Sequence, residues 1–346
     1  RDADWLSFLG ASYFRAAGAE RQYGLSARAV AINSSVGGEE FPRFTTFWLE
    51  HAGPARLIVH ALLDGASITG AFRFTCALDK DGAHQDVTAA LFPRRAIREL
   101  GLMAMTSMFW YDQANAKYAA TDWRPEIHDS DTLAIRSADG AAHARSLVNP
   151  RVPNISVFAE PSPRGFGLMQ RDRNFDHYQD DGVFYHRRPS LWVTPAAPLG
   201  DGEVRLYEFP TDSEYTDNVV AYWTPTAPAA PGRRIDAAYR LDWTSGEPAA
   251  AVARLANIWR GRGDGENVER LLFDFSGVAE GSKPDLICQI DGGTVLKQAV
   301  YPVIGQPGLY RAVIDLRAQG PAVGIRAQLR RSGAAISEMA HYRIDA

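Results

Sequence analysis

The sequence predicts an all-β protein, in which a large antiparallel β-sandwich domain is followed by an immunoglobulin-like β-sandwich domain. Three observations support this fold class. The apolar residues lie mainly in short runs that alternate with polar residues, as half-buried strands do. The runs are closed by Gly, Pro, Asn or Asp, and helical patterns are rare. A chain of 346 residues is long enough to bury the cores of two such domains.

Strand-like runs fill the first two thirds of the chain and predict the larger sandwich. They are RAVAINS (28–34), TTFWLEH (45–51), ARLIVHALLD (55–64), GAFRFTCALD (70–79), DTLAIRSAD (131–139), SLWVTPA (190–196), EVRLYEF (203–209) and NVVAYW (218–223). The segment PRRAIRELGLMAM (93–105) is the best helical candidate in this part of the chain.

Two stretches of small residues and proline mark the boundary between the predicted domains. They are TPTAPAAPG (224–232) and TSGEPAAA (244–251), with the strand-like IDAAYRLDW between them. We therefore expect a first domain over residues 1–245 and an immunoglobulin-like domain over 252–346. A second helix is predicted for AAVARLANIWRG (250–261). The remaining segments read as strands: LLFDFSGV (271–278), DLICQIDGG (285–293), GLYRAVIDLR (308–317) and GIRAQLRRSG (324–333).

Composition narrows the possible functions. A formal net charge of −4 gives no electrostatic case for binding nucleic acid, which favours a basic surface. The longest apolar run, LMAMTSMFWY (102–111), is half of the roughly 20 residues that cross a bilayer, so we expect a soluble protein. The opening segment does not have the pattern of a secretory signal. Cys76 and Cys288 lack the spacing of a metal or redox site and are predicted to be buried thiols, with a disulfide between them left open.

Common catalytic motifs are missing, and two groups of carboxylates are what the sequence offers instead. It contains no G-x-S-x-G, no H-E-x-x-H and no phosphate-binding G-x-x-x-x-G-K-[ST], and its eight histidines are scattered, so no metal or cofactor is predicted. One carboxylate group lies in WRPEIHDSDTLAI (123–135) and the other in FPTDSEYTDNVVAYW (209–223). Glycoside hydrolysis needs one protonated and one ionised carboxyl group. Solvated turns are the alternative, because Asp is common in turns.

Aromatic residues near these segments support a carbohydrate ligand, since sugar rings pack their C–H faces on aromatic planes. The candidates are Trp110 and Tyr111 in TSMFWYDQ, Tyr178 in FDHYQDDG and Tyr185 in VFYHRRPS. Aromatic residues of a β-rich chain are more often part of the core, so that alternative stays open for each of them.

Five long motifs, in their order and spacing, resemble the osmoregulated periplasmic glucan biosynthesis proteins G and D. They are FPTDSEYTDNVVAYW, RPEIHDSDTLAI, GFGLMQRDRNFDHYQD, RRPSLWVTP and TSMFWY, and the resemblance runs from FLGASYFRA (8–16) to about residue 243. It implies a β-sandwich followed by an immunoglobulin-like domain, further N-terminal β structure that this chain does not include, and a periplasmic location reached through a cleaved signal.

The resemblance also implies an activity and its residues. Family members act as inverting β-1,2-glucanases, and relatives form cyclic glucans by transglycosylation. Carried over by motif, Asp217 is the general acid and Asp129 the general base. From the residues themselves, Asp212 and Glu214 are expected to raise the pKa of Asp217 by repulsion, and desolvation by the bound glycan is expected to add to this. By its spacing in the motif, Tyr185 is implied to contact the substrate near the cleaved bond. Further substrate contacts are expected from the residue types themselves, at Trp110, Tyr111, Tyr178, Arg171, Asp212 and Glu214.

Two other functions stay open at this stage. A cyclising transglycosylase would use the same acid but exclude water, and a non-catalytic glucan-binding or assembly factor would use the same aromatic residues without cleavage. The expected partner is a β-1,2-glucan polysaccharide, with no nucleic acid. A membrane-bound glucan synthase and a second copy of the chain are the further partners that the resemblance leaves open.

Overall fold

The computed structural model describes residues 4–249 and 251–345, and it confirms the all-β class. In the first half the strands are β1 Leu6–Gly10, β2 Tyr13–Ala16, β3 Ser26–Arg28, β4 Ala31–Ile32, β5 Arg43–His51, β6 Arg56–Asp64, β7 Ile68–Leu78, β8 Gly82–Pro93, β9 Leu100–Ser107, β10 Phe109–Tyr111, β11 Ile127–His128, β12 Thr132–Arg136, β13 Ala142–Ser146, β14 Asn154–Ala159 and β15 Gly165–Met169.

The second half continues in the same way, with longer strands towards its end. These strands are β16 Ser190–Pro195, β17 Gly202–Glu208, β18 Val219–Pro225, β19 Ile235–Thr244, β20 Arg254–Arg262, β21 Glu269–Ser276, β22 Asp285–Asp291, β23 Gly293–Pro302, β24 Leu309–Ala318, β25 Ala322–Arg331, β26 Ala334–Ala335 and β27 Met339–Asp345. Three short helical turns complete the described chain: α1 Ala116–Ala119, α2 Phe175–Tyr178 and the 3₁₀ turn Tyr185–Arg187. None of the helices described is long and apolar enough to cross a membrane.

Two large sheets form the first sandwich. The smaller has the order β1-β2-β3-β9-β18-β17-β14, with β4 also paired to β9. The larger has the order β22-β25-β27-β13-β12-β15-β16-β19-β8-β7-β6-β5, with β26 paired to β25. Side chains from both sheets meet in one core, for example Phe14, Met105 and Trp223 from the first and Phe74 and Leu241 from the second. Alternation of apolar and polar residues along the strands produces this two-layer arrangement.

The C-terminal part is a second sandwich that shares a sheet with the first. Its own sheet has the order β20-β21-β24-β23 and packs on β22, β25 and β27, with Phe273, Ile314 and Ile325 in a separate core. β27 pairs in parallel with β13 through three residue pairs, from His143 with Met339 to Arg145 with His341. A hydrogen-bonded ladder therefore continues from one sandwich into the other. The predicted division at residues 1–245 and 252–346 stays a prediction.

Both predicted helices are wrong, for different physical reasons. Residues 100–105 of the first candidate belong to β9, whose side chains are all buried. One face of the strand packs into the main core through Leu102 and Met105, and the other packs through Ala104 against Tyr222. A strand of this kind loses its alternation and reads like a helix. Most of the second candidate forms β20, where a bulge between Leu255 and Asn257 puts Leu255 and Ile258 on the same buried side. The bulge creates a three-residue spacing. Residue 250 lies outside the described residues.

Both cysteines are free thiols. Cys76 is buried and Cys288 is half-buried, and burial raises the pKa of each thiol to about 11. The prediction of a buried thiol is confirmed for Cys76, whereas Cys288 is only half-buried, and the disulfide that the sequence left open is not formed. Neither thiol has the lowered pKa of a reactive cysteine.

Candidate functional site

The loop between β17 and β18 is fixed by two asparagine side chains. The buried Asn218 accepts a hydrogen bond from the backbone N–H of Phe109 at 2.9 Å. It also donates to the carbonyls of Phe109 and Phe209, each at 3.0 Å. Asn149 does the same for the other end of the loop, through the backbone N–H and carbonyl of Thr211 at 2.9 and 2.7 Å. The acidic loop is thus held against β10 rather than free in solvent.

Asp217 immediately precedes this anchor. Its side chain keeps an exposed surface, yet the surrounding protein displaces much of its water and raises its pKa to about 6. Burial is the largest cause, and the negative charge of Asp129 adds to it, while Arg15 and Arg188 act in the opposite direction. A carboxyl with this pKa can hold a proton near pH 6, which an ordinary aspartate cannot.

Asp129 lies directly after β11 and is buried. Its backbone N–H donates to the carbonyl of Met108 at 2.9 Å, and its carboxylate forms an ion pair with Arg188. The Arg188 guanidinium lies 4.2 Å from the ring centre of Tyr185. Burial raises the pKa of the Tyr185 phenol, and its O–H donates to Glu214 at 2.6 Å. One continuous set of contacts therefore joins Asp129 to the acidic loop.

Glu214 has a structural partner that the sequence did not reveal. Arg124 donates to both of its carboxylate oxygens, each at 3.0 Å, and also contacts Asp122 and Asp180. The hydrogen bonds from Arg124 lower the pKa of Glu214. The pKa of Asp217 is therefore raised by burial and Asp129, and the expectation that Glu214 and Asp212 raise it is wrong.

Asp131 and Asp129 have different hydrogen-bonding partners, although they are close in sequence. One of its oxygens accepts from the backbone N–H groups of Arg171 and Asp172, at 2.5 and 2.9 Å. It thus orders the start of the loop after β15. Asp129 instead pairs with Arg188, and its negative charge raises the pKa of Asp217. The two carboxylates that the motifs indicated are therefore near enough to interact, and their catalytic roles stay a prediction.

Most of the predicted aromatic contacts lie beneath the site. Tyr111 and Tyr178 have no exposed surface, Tyr185 has almost none, and Trp110 keeps only an edge; together they form a small apolar cluster. The O–H of Tyr178 donates to the carbonyl of Asp172 at 3.0 Å. Tyr111 and Tyr178 offer no free ring face, so direct contact with a ligand stays a prediction and their observed role is support.

Arg171 points away from the carboxylates. Its guanidinium donates to the carbonyl of Leu255 at 2.8 Å and pairs with Glu338 at 2.9 Å and Glu247 at 3.0 Å. These contacts join the two sandwiches, and the predicted contact of Arg171 with substrate stays a prediction. Asp212 is exposed in the loop, and its predicted contact with substrate stays a prediction.

A buried group of polar side chains surrounds His128, the last residue of β11 and the neighbour of Asp129 in sequence. His128 lies between Glu126 at 3.1 Å and Gln170 at 2.8 Å; burial opposes its charged form, but Glu126 outweighs it and raises the pKa of His128 to about 9. Glu126, Asp172 and His177 have ligand-type atoms within 4.8 Å of one another. Glu126 is paired with His128, and His177 with Asp172 at 2.5 Å. Each of these side chains therefore already has a partner within the protein. The prediction that function needs no metal stays a prediction.

Sequence reasoning missed the cations around the carboxylates. Arg188 and Arg15 influence Asp217, and Arg124 holds Glu214. Arg124 and Arg188 lie inside the quoted motifs, but an arginine in a loop carries no pattern that distinguishes an ion pair from a solvated side chain. Arg15 lies on β2, about 200 residues from Asp217 along the chain, so only the fold connects them.

Comparison with known proteins identifies the family. The family model described as "Periplasmic glucan biosynthesis protein, MdoG" matches residues 1–344. Glucans biosynthesis protein D 2 of Ralstonia nicotianae is 44% identical over 97% of this chain and 65% of its own length. Glucans biosynthesis protein D of Stenotrophomonas maltophilia is 41% identical over 97% of the chain and 66% of its length.

Other similarities are weaker or shorter. The probable glucans biosynthesis protein D of Shewanella oneidensis is 42% identical over 91% of this chain and 61% of its own length. A solved polysaccharide lyase overlaps 94% of this chain at 10% identity and a TM-score of 0.23, a similarity too low to support any statement. The chain spans about two thirds of the length of the curated relatives that it matches. From these matches, the chain belongs to the MdoG family of periplasmic glucan biosynthesis proteins.

Proposed function

We propose that the chain is the glucan-processing part of a periplasmic protein that cleaves β-1,2-glucan with inversion at the anomeric carbon. The periplasm follows from the family description and the role in glucan biosynthesis from the relatives' names. The observation that carries the proposal is the contrast between two neighbouring carboxylates. Asp217 has a pKa raised to about 6, whereas Asp129 is ion-paired with Arg188. Such divergent environments suit an acid and a base.

In the proposed reaction, the protonated Asp217 gives its proton to the glycosidic oxygen as the bond to the anomeric carbon breaks. Asp129 accepts a proton from the water that attacks the opposite face of the sugar, so the new hydroxyl has inverted configuration. Arg188 orients Asp129 by pairing with its carboxylate, and Tyr185 positions Arg188, because the guanidinium stacks on the Tyr185 ring. The fixed loop holds Asp217 in position.

The test is incubation of the protein with linear β-1,2-glucan, followed by mass spectrometry and NMR of the anomeric protons. Shortened linear oligomers whose new ends first appear as the α-anomer support the proposal. Products that lack one water relative to the linear chain indicate a cyclising transglycosylase instead. Measurable binding with no product after long incubation indicates a glucan-binding or assembly factor.

A matched variant tests the role of Asp217. Asp217→Asn should bind glucan and fail to cleave it, because an amide cannot protonate the leaving sugar; a lost general acid costs about 10²–10⁴ in rate. A substrate with a good leaving group should be much less affected, because its departure needs little protonation. Equal loss with both substrates would contradict the assignment of Asp217 as the acid.

A further inference from the structure

Two largely exposed aromatic side chains lie on the two loops that the Arg124–Glu214 ion pair joins. Trp123 is 75% exposed and Tyr215 is 90% exposed, the highest values for a tryptophan and a tyrosine among the described residues. Large aromatic side chains usually bury their rings, because burial of apolar area is favourable. These two rings therefore lack the packing that explains most other aromatic residues of this chain.

The loops that carry the two rings are held together by an ion pair. Trp123 directly precedes Arg124 in sequence, and Tyr215 directly follows Glu214. The Arg124 guanidinium donates a hydrogen bond to each carboxylate oxygen of Glu214, both at 3.0 Å. Arg124 also pairs with Asp180 at 2.6 Å, and the ion pairs are largely shielded from solvent. Bidentate pairs of this kind fix geometry as well as charge. The Arg124–Glu214 ion pair thus joins two loops that are about 90 residues apart in sequence. Each partner of the pair has one of the exposed aromatic residues as its neighbour in sequence.

A chain of side-chain contacts connects the Arg124–Glu214 ion pair to Asp129, the proposed base. Glu214 accepts from Tyr185 at 2.6 Å, and Tyr185 stacks under Arg188, the partner of Asp129. A polymer bound across the carboxylates extends beyond them in both directions. Rigidly mounted aromatic planes at the margin of such a site suit the apolar C–H face of a pyranose ring, which needs no charged partner.

We propose that Trp123 and Tyr215 form a binding subsite for a glucose unit of the glucan, remote from the bond that is cleaved. The inference rests on the proposed function, because it takes the ligand to be glucan. The rings contribute affinity for long chains and take no part in proton transfer. Preorganisation by the Arg124–Glu214 pair reduces the entropy lost when the sugar binds.

The test compares affinity for β-1,2-glucan oligosaccharides of increasing length, measured by calorimetry, in wild type and in Trp123→Ala, Tyr215→Ala and the double variant. We expect the double variant to bind long oligosaccharides at least about tenfold more weakly, a change of about 1.4 kcal/mol. The shortest oligosaccharides that bind should show wild-type affinity, kcat at saturation should be unchanged, and Trp123→Phe should keep most of the affinity.

Exposed aromatic residues far from the site provide matched controls. Trp48→Ala on β5 and Tyr301→Ala on β23 remove rings that are 52% and 45% exposed, and neither should alter binding. Wild-type affinity for long chains in the double variant overturns the subsite while leaving the proposed function intact. Equal weakening for all lengths also overturns it. No binding of glucan by the wild type overturns the proposed function and the subsite together.

Discussion

At the scale of single residues, the proposed chemistry depends on two carboxylates, Asp217 and Asp129. The pKa of Asp217 is raised to about 6 by burial and by the charge of Asp129. As the proposed acid, Asp217 must be protonated, so we expect kcat/KM to fall as pH rises through about 6. The sequence placed both residues in motifs, but it attributed the tuning of Asp217 to neighbours in its own loop.

Neutralising Asp129 should lower the pKa of Asp217. In Asp129→Asn the repulsion is lost while burial remains, so the pKa should move below 6, towards the usual value of 3.8. NMR titration of ¹³C-labelled aspartate carboxyl groups measures this directly, with the resonance assigned by Asp217→Asn. Asp131→Asn is the control and should leave the pKa unchanged. An unchanged value in Asp129→Asn would mean that the two carboxylates do not interact.

The two aspartates of HDSD should differ in their effects on turnover. Asp129→Asn should retain glucan binding and lower kcat by roughly 10²–10⁴, the usual range for a lost general base. Asp131→Asn still offers an oxygen to the backbone N–H groups of Arg171 and Asp172, so it should keep activity within about tenfold of wild type. Initial rates with linear glucan decide the matter, and the reverse ranking would assign the base to Asp131.

At the scale of elements, the acidic loop is a rigid carrier for Asp217. Its ends are tied by side-chain amides to the backbone of neighbouring segments, and its middle is tied through Glu214 to Arg124. The sequence indicated a turn between two strands and could not show these ties, because an asparagine that bonds a distant backbone looks like an asparagine in any turn.

Removal of the Asn218 side chain should therefore destabilise the protein and misplace Asp217. The Asn218 side chain makes three hydrogen bonds, two of them buried and one partly buried, each worth roughly 1 kcal/mol. Asn218→Ala should therefore lower the free energy of unfolding by about 2–4 kcal/mol. Urea denaturation measures the effect. Asp212→Ala is the control from the same loop, and as an exposed substitution it should change stability by less than about 0.5 kcal/mol. Equal stability of the two variants would argue against the anchor.

At the scale of the whole molecule, the two sandwiches are joined by a shared sheet and by buried ion pairs. β27 belongs to the C-terminal core and pairs with β13 of the first sandwich. Arg171, from the loop after β15, pairs with Glu247 and Glu338 across the same junction. Deletion of residues 252–346 would remove β22, β25, β26 and β27 from one end of the larger sheet and leave the edge of β13 unpaired. A truncated chain is therefore not a clean test of domain roles.

A single substitution at the junction is the sharper test. Arg171→Met should lower the free energy of unfolding by about 3 kcal/mol, the lower end of the range for breaking a buried pair, because Arg136 still contacts Glu338. Arg254→Met removes a more exposed partner of Glu247 and should cost less than about 1 kcal/mol. Chemical denaturation followed by tryptophan fluorescence compares them. Similar small losses in both variants would show that Arg171 does not hold the junction.

The sequence by itself determined the all-β class and most strand positions, because alternation and turn residues are local properties of the chain. It also pointed to Asp129 and Asp217 through motifs. It failed for β9 and β20, where burial on both faces and a bulge replace simple alternation.

Only the tertiary structure decided what each polar side chain does. In the folded protein, Arg171 forms ion pairs at the junction of the two sandwiches, and Glu214 pairs with Arg124. Tyr111 and Tyr178 are buried, and Arg15 lies near enough to Asp217 to lower its pKa. Ion pairs and burial depend on distances between residues that are remote along the chain, and sheet topology sets those distances. The pKa of Asp217 depends on the same surroundings, because burial and the charge of Asp129, 88 residues away in sequence, both raise it.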